Sequence, residues 1–348
     1  MNNYLEKLFS NIVISAFLPA FAFVCTTFFL FYDLIPTSIR EKAKIIYADP
    51  IYWIIGFTVI LGFITLYGRE LIISLYRGSC FRQPHKFREK ILAEKIWQEI
   101  QGIESKMSSM KRGNKGGEFQ RLDITRREKI NTYCSDFPPD ITQISITRLG
   151  NIWRAMEYYP ADRYGILSPT IWHRLRQVIP PEKLRPIDDA FNELMFFINL
   201  SFFSYLTSIL GLLAIICSSA VCLIFNADCN LVASDWLDRF HLLFVSIVLS
   251  AILGFLFYKV SLPIARYYAN IHKGAFDLYR FLLLESLKQE IPSNIFEEID
   301  KWEALSELID MGGRGYLTRN DGIPLIIQYN NTNSQIEALA ETPEDDPQ

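Results

Sequence analysis

Two sets of side chains in this sequence could do chemistry. Ser201, Ser204, Ser208, Gly211 and Ser218 recur at i, i+3, i+7, i+10 and i+17, with Asn199 and Thr207 beside them. A helix would gather them on one face of an otherwise apolar run. Two roles fit that face. Small residues let helices pack closely, and a row of hydroxyls can solvate a water column without fixing one ion, which would make Ser201, Ser204, Ser208 and Ser218 pore-lining. The second set is cationic. Lys111, Arg112, Lys115, Arg121, Arg126 and Arg127 lie in or beside KMSSMKRGNKGGEFQR, and Arg163, Arg174 and Arg176 lie in YYPADRYGILSPTIWHRLRQVI. Aromatic faces for base stacking are sparse in the first stretch, where Phe119 stands alone. They are richer around the second, with Trp153, Tyr158, Tyr159, Tyr164 and Trp172. Such cations could meet anionic lipid headgroups, bind an anionic ligand such as an oligonucleotide, or form a solvated run that only enforces topology.

Catalytic patterns are missing from the sequence. GNKGGE lacks the GxxxxGK[ST] order of a phosphate loop, and a helical segment precedes it where a strand is required. His85, His173, His241 and His272 are dispersed, with no HExxH, CxxC or other metal-ligand spacing. Asp188, Asp189 and Glu193 are better read as acids complementing a helix dipole than as a carboxylate site. The expectation is a protein that is no enzyme and uses no metal or cofactor.

The elements that would position these residues are membrane helices. The chain has 348 residues, half of them hydrophobic, and these are bunched. Ile12 to Leu34, Tyr52 to Leu75, Leu194 to Phe225 and Phe240 to Val260 each reach the ~20 residues that cross a ~30 Å hydrocarbon core. Four transmembrane helices are therefore expected, the first retained rather than cleaved as a signal peptide, because its apolar core exceeds a signal h-region. Their central thirds carry no Asp, Glu, Lys or Arg, which argues against a proton-coupled pump.

Loop charge sets the expected orientation. Residues 77–129 hold 14 Lys/Arg against 7 Asp/Glu, whereas the loop from Asn226 to Arg239 holds Asp228, Asp235 and Asp238 against Arg239 alone. The long segment between spans two and three is then cytoplasmic, as are both termini, in a multi-pass membrane protein. Cys25, Cys217 and Cys222 fall in spans and Cys80 and Cys134 on the reduced side, so an intrachain disulfide is not expected.

The fold class is thus an all-α membrane protein, with four spans and a mostly helical cytoplasmic domain built from the insert and the C-terminal region. Its expected parts are 1–76 (spans one and two), 77–193 (the insert), 194–263 (spans three and four), 264–329 (the C-terminal helical region) and 330–348 (a disordered acidic tail). Within the insert, KFREKILAEKIWQEIQGIES places Phe87, Ile91, Ile96, Ile100 and Ile103 at helical spacing. Then KMSSMKRGNKGGEFQR reads as a flexible basic loop, ITRREKINTYC as helix and CSDFPPDITQ as a connection. Residues 156–164 read as loop around Pro160. Ser168 and Pro169 read as a helix start and Pro180 and Pro181 as its stop, with a new start at Arg185 and Pro186 that runs about 40 residues into span three. After span four the periodic pattern continues to Gln289. A last helix capped by Ser293 ends before Gly312, and IPLIIQY follows as a strand or an extended docking segment. The insert sums to +6 and residues 264–348 to −8, so the two are expected to dock, within one chain or between chains.

YPADRYGILSPTIWHRLRQVIPPEKLRPIDDAFNELMFFINLSF resembles a set of uncharacterised bacterial four-span inner-membrane proteins with the same aromatic-Pro, Arg-Tyr-Gly and Leu-Pro pattern before span three. SAFLPAFAFV and AFDLYRFLLLESL are similar to the same set. The layout of spans around a cytoplasmic domain also resembles the membrane-channel effector of Hailong-type anti-phage defence. That resemblance implies a homo-oligomeric antiviral channel in the lipid bilayer, held shut by single-stranded oligonucleotides that a partner nucleotidyltransferase makes. The ligand is implied by the resemblance alone, since no residue here matches a diagnostic motif for it.

Overall fold

A computed structural model describes residues 2–32, 50–79, 87–110, 116–225 and 233–311. In chain order its helices are α1 (Asn2–Tyr32), α2 (Pro50–Tyr67), α3 (Arg69–Arg77), α4 (Phe87–Met110), α5 (Gly116–Asp136), α6 (Arg148–Tyr164), α7 (Ser168–Val178), α8 (Pro181–Phe225), α9 (Ala233–Ser286) and α10 (Ile295–Met311), with a 3-10 turn at Ile141–Gln143. No strand occurs among the described residues. The chain divides into two compact units. The first comprises Met1–Glu89, Ser145–Gly150 and Arg185–Tyr268, and the second Lys90–Ile144, Asn151–Leu184 and Ala269–Gln348.

Among the described residues three helices are long and apolar enough to cross a membrane, over Val13–Leu30, Pro181–Ile216 and Leu243–Ser286. The last two, at 36 and 44 residues, far exceed the ~20 that a bilayer needs. The expected second span is broken. Ile51–Tyr67 and Arg69–Arg77 differ in direction by 63°, so the fourth candidate is a bent pair and not one straight helix. The break sits at Gly68, where a Cβ would come 2.7 Å from the Ile64 carbonyl oxygen.

In the first unit, α1 packs on α2 through an edge contact of Phe17 with Phe63 (centroids 5.4 Å apart), and Gly62 leaves room for the Phe17 ring. Asn199 on α8 donates to the Ser15 carbonyl at 2.9 Å, and Phe203 stacks on Phe23. The segment Ser145–Gly150 closes the end of α3. Ser145 donates to the Arg77 carbonyl (2.5 Å) and Thr147 to the Tyr76 carbonyl (2.7 Å). Those are two of the acceptors that a helix C-terminus leaves open. Gly78, left-handed at φ 72°, ends the helix.

The second unit begins with an antiparallel hairpin of α4 and α5, shown by the pairs Glu99–Lys129 and Glu104–Arg126. Ala93, Ile100, Tyr133, Phe137 and Ile144 form its buried core. The expected basic loop over 106–121 is mostly helix. Met107, one heptad beyond Ile100, is buried, so packing carries α4 through a polar stretch whose local composition argued for a loop. Ile91, by contrast, is exposed.

Prolines were overread as breaks. Pro160 lies inside α6, which ends only at left-handed Gly165, where Ile166 N–H reaches back to the Pro160 carbonyl. Likewise α8 starts at Pro181 and accommodates Pro186 in its second turn. Pro181 occupies the first turn, where its missing N–H costs nothing. Two caps also differ. Leu167 rather than Ser168 stands at the N-cap of α7, which therefore has no side-chain cap hydrogen bond. The cap of α10 is Asn294, whose Oδ1 accepts from the N–H groups of Phe296 and Glu297. IPLIIQY and the tail from 330 lie outside the described residues.

Candidate functional site

The serine face exists on α8, and it meets α9. Ser201 is fully buried, accepts from the Tyr76 hydroxyl at 2.8 Å and donates to the Gly254 carbonyl at 2.8 Å. Ser208 donates to the Ile247 carbonyl at 2.8 Å and lies 2.7 Å from the Ser250 hydroxyl. A Cβ on Gly211 would come 2.7 Å from Ile247, so this residue sets the closeness of the two helices. Ser204 is half-buried and turns its hydroxyl to its own helix at Leu200. The side chain of Ser218 lies outside the described residues. Within one chain, then, Ser201 and Ser208 are engaged in helix packing. The Asn199 side chain points the other way, to α1.

In the second unit a polar cluster forms around Asp277, in the last part of α9. Tyr159 donates to both of its carboxylate oxygens (3.1 and 3.0 Å), and Tyr164 donates to Oδ1 at 2.8 Å. The Arg163 guanidinium donates to the Tyr159 hydroxyl at 2.9 Å and lies over that ring. Tyr159 and Arg163, four apart on α6, share a face, as do Lys273 and Asp277 on α9. Burial, and then the Asp277 carboxylate, push the Tyr159 phenol up to about 12, so it is a permanent donor. Tyr164 moves the same way for the same first cause.

One turn further on, Arg280 is held at three points. It pairs with Glu298 of α10 at 2.6 Å, both side chains nearly inaccessible, donates to the Asp277 carbonyl, and covers the Tyr164 ring at 4.1 Å. Lys273, also buried, donates to the Cys134 carbonyl at 3.0 Å and faces the Tyr159 ring at 5.3 Å. Burial pulls its pKa down. Beside them, His272 lies against Trp172 (centroids 4.0 Å apart) and Phe276. The expected docking of insert on C-terminal region therefore occurs within this chain. It uses tyrosine hydroxyls and Thr170, which donates to Asp310 at 3.1 Å.

The described cations among those singled out in the sequence each have their own surroundings. Lys111, Arg112 and Lys115 lie outside the described residues. Arg121 is exposed on α5, Arg126 pairs with Glu104 and Asp123, and Arg127 pairs with Asp123. Arg163 serves Tyr159, Arg174 donates to the Thr170 carbonyl, and Arg176 lies over Trp172 at 5.8 Å. Asp277, Arg280, Lys273 and Glu298 were missed. The signal for the first two was a D-x-x-R pair inside the apolar run FDLYRFLLL, where charges must be paired to be tolerated. Among the described residues no group of three or more His, Cys, Asp or Glu could hold a metal ion.

The arrangement ties α6, α7 and α10 to α9. No family model, curated protein or solved structure matches the chain.

Proposed function

We propose that this protein is a multi-pass protein of a bacterial inner membrane that works as a homo-oligomeric, channel-like effector, controlled from its cytoplasmic helices. The reading rests on one observation. A single helix, α9, carries both Ser250 and Gly254, which hold the serine face of α8, and Asp277, which gathers the tyrosines of α6. A shift of α9 along its axis would act on both contacts, and side-chain hydrogen bonds worth about 1 kcal/mol each are weak enough to exchange. In this reading the described state is closed, with Ser201 and Ser208 sealed against α9, and opening would present them to water. An anionic ligand, such as a single-stranded oligonucleotide made by a partner nucleotidyltransferase in anti-phage defence, is proposed to hold this closed state, and its loss to release it. Its proposed contacts are the exposed cations of the α4–α5 hairpin and the 111–115 connection, with the terminal orientation that loop charge favours.

Flux through proteoliposomes, combined with mass measurement in detergent, tests this. An oligomer whose conductance changes with Ser208→Leu supports the channel, and a monomer without flux ends it. A second reading is a non-conducting membrane scaffold that recruits a cytoplasmic partner. It is favoured by the engagement of Ser201 and Ser208 in packing within one chain. An oligomer that passes no ions but retains a protein partner would select it.

A further inference from the structure

The bend at Gly68 separates two helices of different character. α2 has 18 residues and no charge, a rise of about 27 Å, which nearly matches the ~30 Å hydrocarbon core by itself. Tyr52 and Trp53 stand at one end and Tyr67 at the other, all exposed, as aromatic residues stand at the two faces of a bilayer. Its exposed side chains include Ile60, Phe63 and Ile64. The apolar length is therefore complete at Tyr67, before α3 begins.

α3 (RELIISLYR) is amphipathic and turns away by 63°. Ile72, Ile73 and Tyr76 are buried against the protein, while Leu71 is 68% exposed and Leu75, one turn on, 40% exposed. Charges flank these leucines at Arg69, Glu70 and Arg77. The end of the helix is also finished without water, because Ser145 and Thr147 supply hydroxyls to the last carbonyls.

We infer that α3 lies in the headgroup–acyl boundary of the bilayer, with Leu71 and Leu75 inserted into its outer hydrocarbon, and that the second membrane crossing ends at Tyr67. The occupant of this face is lipid because the face continues the exposed apolar surface of α2 without a break in the chain. An amphipathic helix with outward leucines and flanking charges settles about 5–10 Å into that boundary. Ion conduction plays no part in the inference, so the channel reading could fail while this one holds.

Spin labels report the depth. In the full chain with its six native cysteines replaced, reconstituted in phosphatidylcholine–phosphatidylglycerol vesicles, labels would be placed through Ile64→Cys, Glu70→Cys, Leu71→Cys and Leu75→Cys. Positions 71 and 75 should share one depth about 5–10 Å below the headgroups, with 64 deeper and 70 open to a water-soluble nickel chelate. Labels at 71 and 75 as open to the chelate as 70 would overturn the inference. So would a depth that changes steadily by about 1.5 Å per residue from 64 through 75, which is a continuous span. If the cysteine-free chain does not fold, a benzophenone side chain at position 71 of the native-cysteine chain should give phospholipid adducts on irradiation. Their absence there, with adducts formed at position 64, would equally overturn it.

Discussion

The hydroxyls of Ser208 on α8 and Ser250 on α9 lie 2.7 Å apart, at a level where Gly211 leaves no room for a side chain beside Ile247. Two polar groups thus meet inside an apolar interface, each with a helix carbonyl as second partner. Ser208→Leu must push the helices apart, whereas Ser204→Leu disturbs only a bond within one turn. The first substitution should lower the thermal midpoint in detergent clearly more than the second. Equal effects would mean that the face does not set the helix spacing.

Ser201→Ala removes both the acceptor of the Tyr76 hydroxyl and the donor to Gly254. A buried donor left without a partner costs about 1–3 kcal/mol. Adding Tyr76→Phe should recover part of that loss, because the stranded hydroxyl is gone. The double-mutant cycle, followed by chemical denaturation, measures the recovery.

Asp277 accepts from two tyrosines, so Asp277→Ala strands two donors at once and should cost more than Tyr159→Phe, which leaves Tyr164 in place. Expected losses are about 2–4 kcal/mol against about 1 kcal/mol. Comparable losses in the two variants would contradict a central role for the carboxylate.

His272 gives a pH dependence with a definite sign. Burial, then the charges of Lys273 and Arg176, hold it down to about 3, against roughly 6.5 in an unfolded chain. The rings of Trp172 and Phe276 cover it and offer no charge to stabilise the imidazolium. The folded chain refuses a proton that the unfolded chain accepts, so the contribution is complete above about pH 6.5 and is lost on the way down to about 3, with a slope up to about 1.4 kcal/mol per pH unit. Unfolding midpoints between pH 7.5 and 5 should fall more steeply in the native chain than in His272→Leu.

Gly165 is left-handed at φ 73°, and a Cβ there would approach the Ile299 carbonyl to 2.9 Å. Gly165→Ala meets both backbone strain and that contact, for a loss of about 1–3 kcal/mol. Circular dichroism melts compare it with Gly102→Ala, on an open helix surface, which should stabilise slightly.

The long helices were legible because apolar runs without charges leave few alternatives. The boundaries were harder, and Pro160 and Pro186 show why: a proline costs one hydrogen bond, and packing along the rest of α6 and α8 outweighs it. Met107 extends α4 for the same reason. Gly68 acts in the opposite sense: a single glycine in an apolar stretch gives no sign in the sequence of the close approach to the Ile64 carbonyl. The tyrosines of the site were visible as a patch. Their partner Asp277 sits 113 residues beyond Tyr164, and only the fold brings such residues together.

The interleaving of the two units has a consequence for biosynthesis. The second unit draws on residues 90–144, 151–184 and 269 onward, and Tyr164 cannot meet Asp277 until α9 has been made. Domains usually fold as they emerge from the ribosome. This one cannot complete its Asp277 contacts until the C-terminal part of α9 has been made. Truncated versions ending before residue 269 should therefore be insoluble or degraded, however carefully their ends are chosen.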